Sequence, residues 1–131
     1  TGQVAQGALA GLRVLLVEDE VEVRRLLEQV LLHEDAEVEA VADGDLALER
    51  LENGDAPDLM ISDLRMPGAS VQVLVEALHA RRPDARVLVL SGFAKGMEEV
   101  ESLLAGVEAA FLQKPFRPSE LLEQVQTLVT E

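Results

Sequence analysis

No cysteine, tryptophan or tyrosine occurs anywhere in the 131 residues, and phenylalanine occurs only three times. The missing thiol excludes disulfides, thiolate zinc sites and cysteine nucleophiles, and it leaves the redox compartment undetermined. The shortage of rings excludes base stacking as a mode of nucleic-acid binding and obliges the core to be built from Leu, Val and Ala. Basic residues are scarce as well: 11 Lys and Arg stand against 25 Asp and Glu, a formal net charge of -14. Such a chain repels phosphate backbones and anionic lipid, so nucleic acid and membrane surfaces are excluded as direct partners and a protein or a cation is favoured. No charge-free apolar run approaches the roughly 18 residues of a membrane span, and the N-terminus lacks the basic-then-apolar order of a signal peptide. A soluble, cytoplasmic domain is the expectation. Thr1 in place of an initiating Met points to a processed product or to a piece of something longer.

Apolar residues make up 48% of the chain and recur in short runs, the composition of one globular domain. Residues 1–12 are small, uncharged and without period, which reads as a linker or tail; residues 13–131 are the domain. Five apolar segments read as strands: Val14–Val17, the alternating Glu37–Val41, Leu59–Ile61, Val87–Leu90 and Ala109–Leu112. Alternation in the second marks an edge strand with one face covered. Each strand is followed by residues at helical spacing. The inward sets are Val23, Leu26, Leu27, Val30 and Leu31, then Leu46, Leu48 and Leu51, then Val71, Leu74, Val75 and Leu78. Met97, Val100, Leu103 and Leu104 mark the fourth helix, and Leu121, Leu122, Val125, Leu128 and Val129 the last. Asp43-Gly44 opens the second helix, and Pro118 falls where a first helical turn tolerates it.

Strand then helix, five times over, implies right-handed crossovers and a parallel sheet covered on both faces, an α/β doubly wound fold. Ligands of such sheets bind beyond the carboxyl ends of the strands. Glu18 and Asp19 follow the first strand, Asp63 the third, Ser91 the fourth and Lys114 the fifth, so all five gather at one edge. Three crowded carboxylates raise one another's pKa unless a cation joins them, and carboxylates with water are a magnesium ligand set. A carboxylate beside a metal, a lysine and a hydroxyl also suits a phosphoryl group, with Asp63 as nucleophile, cations on the equatorial oxygens and Ser91 as donor.

Val17-Glu18-Asp19-Glu20, Ser62-Asp63-Leu64-Arg65-Met66-Pro67-Gly68, Leu90-Ser91-Gly92 and Gln113-Lys114-Pro115-Phe116 together resemble the motifs of response-regulator receiver domains of two-component signalling, over about residues 12 to 130. The resemblance implies a flavodoxin-like (βα)5 three-layer sandwich with strand order 2-1-3-4-5. It implies that Asp63 accepts a phosphoryl group from a phosphohistidine of a histidine kinase or phosphotransfer protein, with Mg2+ as cofactor. Asp19 would be a direct metal ligand, Glu18 a ligand mostly through water, and the backbone carbonyl of Arg65 would complete the protein ligands. Lys114-Pro115 would be cis. Switching would run through Ser91 and the aromatic Phe111, toward an output protein or fused kinase domain. Two departures stand out: Val71 occupies a position where the family usually has glycine, and Phe111 has no hydroxyl. The wording Leu64-Arg65-Met66-Pro67-Gly68 with Ser91-Gly92-Phe93 most resembles receivers fused to hybrid histidine kinases.

Singly, Glu18, Asp19 and Asp63 would read as caps or turn residues; their company at matching strand ends with Ser91 and Lys114 outweighs that. Asp43, Asp45, Asp55 and Asp84 have no such company and read as turns and caps, and His33 and His79 as solvated surface. The enzyme alternative is an Asp-nucleophile phosphohydrolase, which needs a second Asp as general acid two residues on, where this chain has Arg65. A degenerate receiver that serves only for docking is the third reading, and the intact site argues against it. With no kinase histidine and no basic or helix-turn-helix segment, donor and output lie elsewhere, and no catalysis beyond self-phosphorylation and dephosphorylation is expected.

Overall fold

Runs of Leu, Val and Ile without polar relief can only be satisfied where a strand is covered on both faces, and that environment is built here by helices on either side of a parallel sheet. The computed structural model describes residues 7–92 and 96–130; residues 1–6 of the N-terminal stretch and Phe93 lie outside the described residues. The elements run β1 (Arg13–Val17), α1 (Val21–His33), β2 (Glu37–Val41), α2 (Gly44–Asn53), β3 (Leu59–Asp63), α3 (Val71–Arg81), β4 (Arg86–Ser91), α4 (Gly96–Leu103), β5 (Ala109–Gln113) and α5 (Pro118–Thr130). All strand pairs are parallel, in the order β2-β1-β3-β4-β5. The alternating strand β2 lies at an edge, as its pattern requires.

Successive strand residues point to opposite faces, so the core divides into two layers. Leu15, Val17, Met60, Val87 and Val89 pack with Ala47, Leu51, Leu74, Leu78 and Val100 of α2, α3 and α4. Val14, Leu16, Leu59, Ile61, Leu88 and Leu90 pack with Leu27 and Leu31 of α1 and with Leu121 and Val125 of α5. The helical stripes are narrower than the sequence suggests. Leu26 is 51% exposed, and Leu46, Met97 and Leu103 are exposed as well. A helix resting on a sheet buries only the rows directly beneath it; in α2 that row is Ala47 and Leu51, where the small Ala47 allows close approach.

The stretch read as a tether is in part not one. Leu9 is buried in the α1/α5 layer, and its amide donates to the Glu34 carbonyl at 3.0 Å. His79, read as solvated, donates instead from Nε2 to the Ala85 carbonyl at 3.0 Å. At the amino edge of the sheet, Asp58 ties three elements together. Its Oδ2 accepts from the Arg13 amide at 2.8 Å, its Oδ1 pairs with Arg82 after α3, and its carbonyl accepts from the Arg86 amide at 2.9 Å. Asp58→Ala is expected to lower stability by about 1 kcal/mol through loss of the Arg13 amide and Arg82 contacts, both open to water in part. An unchanged urea midpoint would show that the staple contributes nothing.

Strand register carries the site. Val17 pairs with Ser62, Asp63 with Leu90, and Ser91 with Gln113, so the residues that follow or close β1, β3, β4 and β5 arrive at one level. The strand order reverses at β1, whose neighbours are β2 and β3, and this places a crevice beyond the carboxyl ends of β1 and β3.

Candidate functional site

Glu18, the first residue past β1, is fully buried, and Asp63, the last of β3, is 9% exposed. Asp19 beside them is exposed. One carboxylate oxygen from each of Glu18, Asp19 and Asp63 lies within 4.8 Å of the others. Lys114 enters from the end of β5 and places Nζ 2.8 Å from Glu18 Oε1 and 3.1 Å from Asp63 Oδ2. The Glu20 amide donates to the second Glu18 oxygen at 3.1 Å, and Arg24 donates to the Glu18 carbonyl at 2.8 Å. Lys114 is itself fixed by its amide, which donates to the Ser91 carbonyl at 2.7 Å, and the Lys114–Pro115 peptide is cis.

The electrostatics follow from this crowding. Burial pushes the Glu18 carboxyl above the usual carboxylate range, against the hydrogen bonds from Lys114 and Glu20 that favour its charge. Burial would depress the Lys114 ammonium, but its hydrogen bonds to Glu18 and Asp63 outweigh that and hold it above the ordinary lysine value. Three carboxylates therefore face one ammonium, and the excess of negative charge is what a divalent cation would offset. Hard oxygen donors, partly buried and partly open to solvent through Asp19, fit Mg2+, which keeps several waters. The residues present fit the ion.

Ser91, the last residue of β4, is buried, and Phe111 lies level with Val89 in β5. Both border Gly96 at the start of α4: a Cβ there would sit 2.8 Å from the Phe111 ring and 2.9 Å from Ser91 Oγ. Arg65, two residues past Asp63, turns its guanidinium to Glu99 of α4, with Nη2 2.8 Å from each carboxylate oxygen. Val71, at the family's usual glycine position, is buried in the α2/α3/α4 layer as the first residue of α3.

A second contact has no counterpart in the periodic pattern of the sequence. The loop between β3 and α3 rests on the start of α2: the Gly44 amide donates to the Pro67 carbonyl at 2.9 Å and Asp45 Oδ1 accepts from the Ala69 amide at 3.0 Å. Gly68 has φ +85, and a Cβ on it would lie 2.8 Å from the Asp45 amide nitrogen. Asp43 caps α2 as read, accepting from the Leu46 amide at 2.8 Å, whereas Asp45 is more than a turn residue. The glycines in Asp43-Gly44 and Pro67-Gly68 were the available signal.

A doubly wound five-stranded sheet with carboxylates and a lysine at its switch point defines a class of phospho-signalling α/β domains. Residues 14–126 match the response regulator receiver domain, and the chain belongs to that family. Response regulator RppA of Synechocystis sp. is 36% identical over 118 residues, which cover 89% of this chain and 50% of that protein. The chemotaxis response regulator CheY4 of Vibrio cholerae superposes with a TM-score of 0.78 at 28% identity, over 89% of this chain and 98% of that one. The receiver domain of the hybrid histidine kinase CckA is 33% identical with a TM-score of 0.72, over 89% of this chain and 98% of that one. The chain spans about half the length of the curated relatives it matches first. No helix among the described residues is long and apolar enough to cross a membrane.

Proposed function

We propose that Asp63 accepts a phosphoryl group from the phosphohistidine of a histidine kinase or phosphotransfer protein. The observation that carries this is Lys114 Nζ bridging Glu18 and Asp63 within a cluster of three carboxylates at the switch point. In the transfer, an Asp63 oxygen bonds to phosphorus as the P–N bond breaks, and the departing imidazole nitrogen takes up a proton. Glu18, Asp19, Asp63 and the Arg65 carbonyl would hold Mg2+, which supplies charge neutralisation on the phosphoryl oxygens when bound. Lys114 pairs with another of these oxygens, and its hydrogen bonds to Glu18 and Asp63 keep it charged and aimed. Ser91 donates its hydroxyl to a third, and Phe111, which like Ser91 Oγ closely borders Gly96, follows that movement. The domain acts on itself alone and passes its state to an output protein or fused kinase domain in the cytoplasm.

Acetyl phosphate with magnesium is expected to phosphorylate the protein, and excess EDTA to prevent it. Asp19→Asn is expected to weaken magnesium binding about tenfold by calorimetry and to slow phosphorylation in parallel, since it removes one of the few carboxylates available to a weakly held ion. An unchanged magnesium affinity would reduce Asp19 to a turn residue. Lys114→Ala is expected to slow phosphorylation by acetyl phosphate by about a hundredfold, the loss typical of one electrostatic contact to a transferring group. A rate equal to that of the wild type would remove Lys114 from the reaction.

A further inference from the structure

Helix α4 is held lightly. Of its residues, only Gly96 and Val100 are buried, whereas α3 buries Val71, Leu74, Val75 and Leu78. Its first turns meet the acceptor site at two points. Gly96 is seated against Ser91 Oγ and the Phe111 ring with no room for a Cβ. Glu99 receives Arg65 Nη2 on both carboxylate oxygens at 2.8 Å, across 34 residues of sequence. The pair is open to water, Arg65 being 57% and Glu99 33% exposed, so it is a contact that can be broken and remade without stranding a buried charge. Glu99 also lies in the first turn of α4, where the helix dipole favours a carboxylate even after its partner leaves.

We propose that Arg65 is a positioning residue for α4: paired with Glu99 it latches the helix to the acceptor loop, and a phosphoryl group on Asp63 draws it away. The proposal rests on Asp63 being the acceptor. A phosphoryl group brings about -1.5 to -2 of charge and three strong acceptor oxygens two residues from Arg65, against the single charge of Glu99. Lys114, aimed from Glu18 and Asp63, and Ser91 each meet one phosphoryl oxygen, and the Arg65 guanidinium is the further cation that the acceptor loop itself carries. Releasing Arg65 from Glu99 frees α4 at the same moment that Ser91, seated against Gly96, is engaged. The two events therefore act on one helix turn.

NMR of the intact protein, with and without beryllofluoride and magnesium, tests this through Val100 and Leu104, which anchor the helix in the core. In the unliganded protein, Glu99→Gln is expected to displace both signals toward their beryllofluoride-bound positions. The ratio of released to latched helix should rise about two- to fivefold, the range for one exposed ion pair. With beryllofluoride bound, Glu99→Gln and wild type should coincide. The double exchange Arg65→Glu with Glu99→Arg should return the unliganded signals to their wild-type positions. If beryllofluoride binds the wild type but Glu99→Gln leaves the unliganded signals in place, or the exchange fails to restore them, the latch is overturned and the acceptor reading stands. Failure of beryllofluoride to bind the wild type would overturn the acceptor reading and the trigger of the latch with it.

Discussion

Gly44→Ala is expected to destabilise the protein by about 3 kcal/mol or more and to slow its phosphorylation. Gly44 opens α2 and is buried against the loop that follows Asp63. A Cβ there would lie 1.9 Å from the Ala69 carbonyl oxygen and 2.7 Å from the Ala69 carbon and nitrogen. These are backbone atoms, so no side chain can rotate aside and the loop or the helix must move. Overpacking in a well-filled site costs about 1 to 3 kcal/mol, and a clash with main chain falls at or beyond the upper end. Moving the loop also breaks the bonds from the Gly44 amide to Pro67 and from the Ala69 amide to Asp45, which hold the segment bearing Arg65. Gly92→Ala is the control, because a Cβ on Gly92 meets nothing among the described residues within 4 Å. Urea unfolding should separate the two clearly. A Gly44→Ala midpoint equal to that of Gly92→Ala would mean that the contact yields without strain.

The cluster at the carboxyl ends of the strands was legible because strands fully buried in a parallel sheet read as apolar runs. The runs ending at Val17, Ile61, Leu90 and Leu112 therefore marked where Glu18, Asp63, Ser91 and Lys114 emerge. Those positions follow from the length of each strand and the parallel order alone. Contacts between loops leave no such trace. Asp45 to Ala69 and Arg65 to Glu99 join residues 24 and 34 positions apart that share no periodicity, so the sequence shows neither pairing and Asp45 alone reads as a turn or cap residue. The width of the helical stripes was overread for a related reason. Spacing shows which residues share a side of a helix but not how much of that side the sheet covers, and so Leu26 and Leu46 were placed inward although they are exposed. Leu9 was missed because a lone apolar residue among small ones has no pattern, and only the closed fold provides the space beside α1 that it fills.

Asp63→Asn is expected to abolish phosphorylation while leaving the fold intact. The amide is nearly isosteric with the carboxylate, and at 3.1 Å from Lys114 Nζ its oxygen can still accept the hydrogen bond. What it loses is the carboxylate oxygen that would attack phosphorus, and one negative charge. Asp19 remains near the vacated position, but it is exposed and Lys114 makes no hydrogen bond to it among the described residues. Without a fixed cation on the entering group, an attacking carboxylate receives little of the electrostatic help that phosphoryl transfer depends on. Glu18 is fully buried and so out of reach of an incoming phosphoryl group. Intact mass spectrometry after treatment with acetyl phosphate and magnesium tests the account most directly. One added phosphoryl group is expected on the wild type and none on Asp63→Asn; a phosphoryl group added equally to both would mean that another residue is the acceptor.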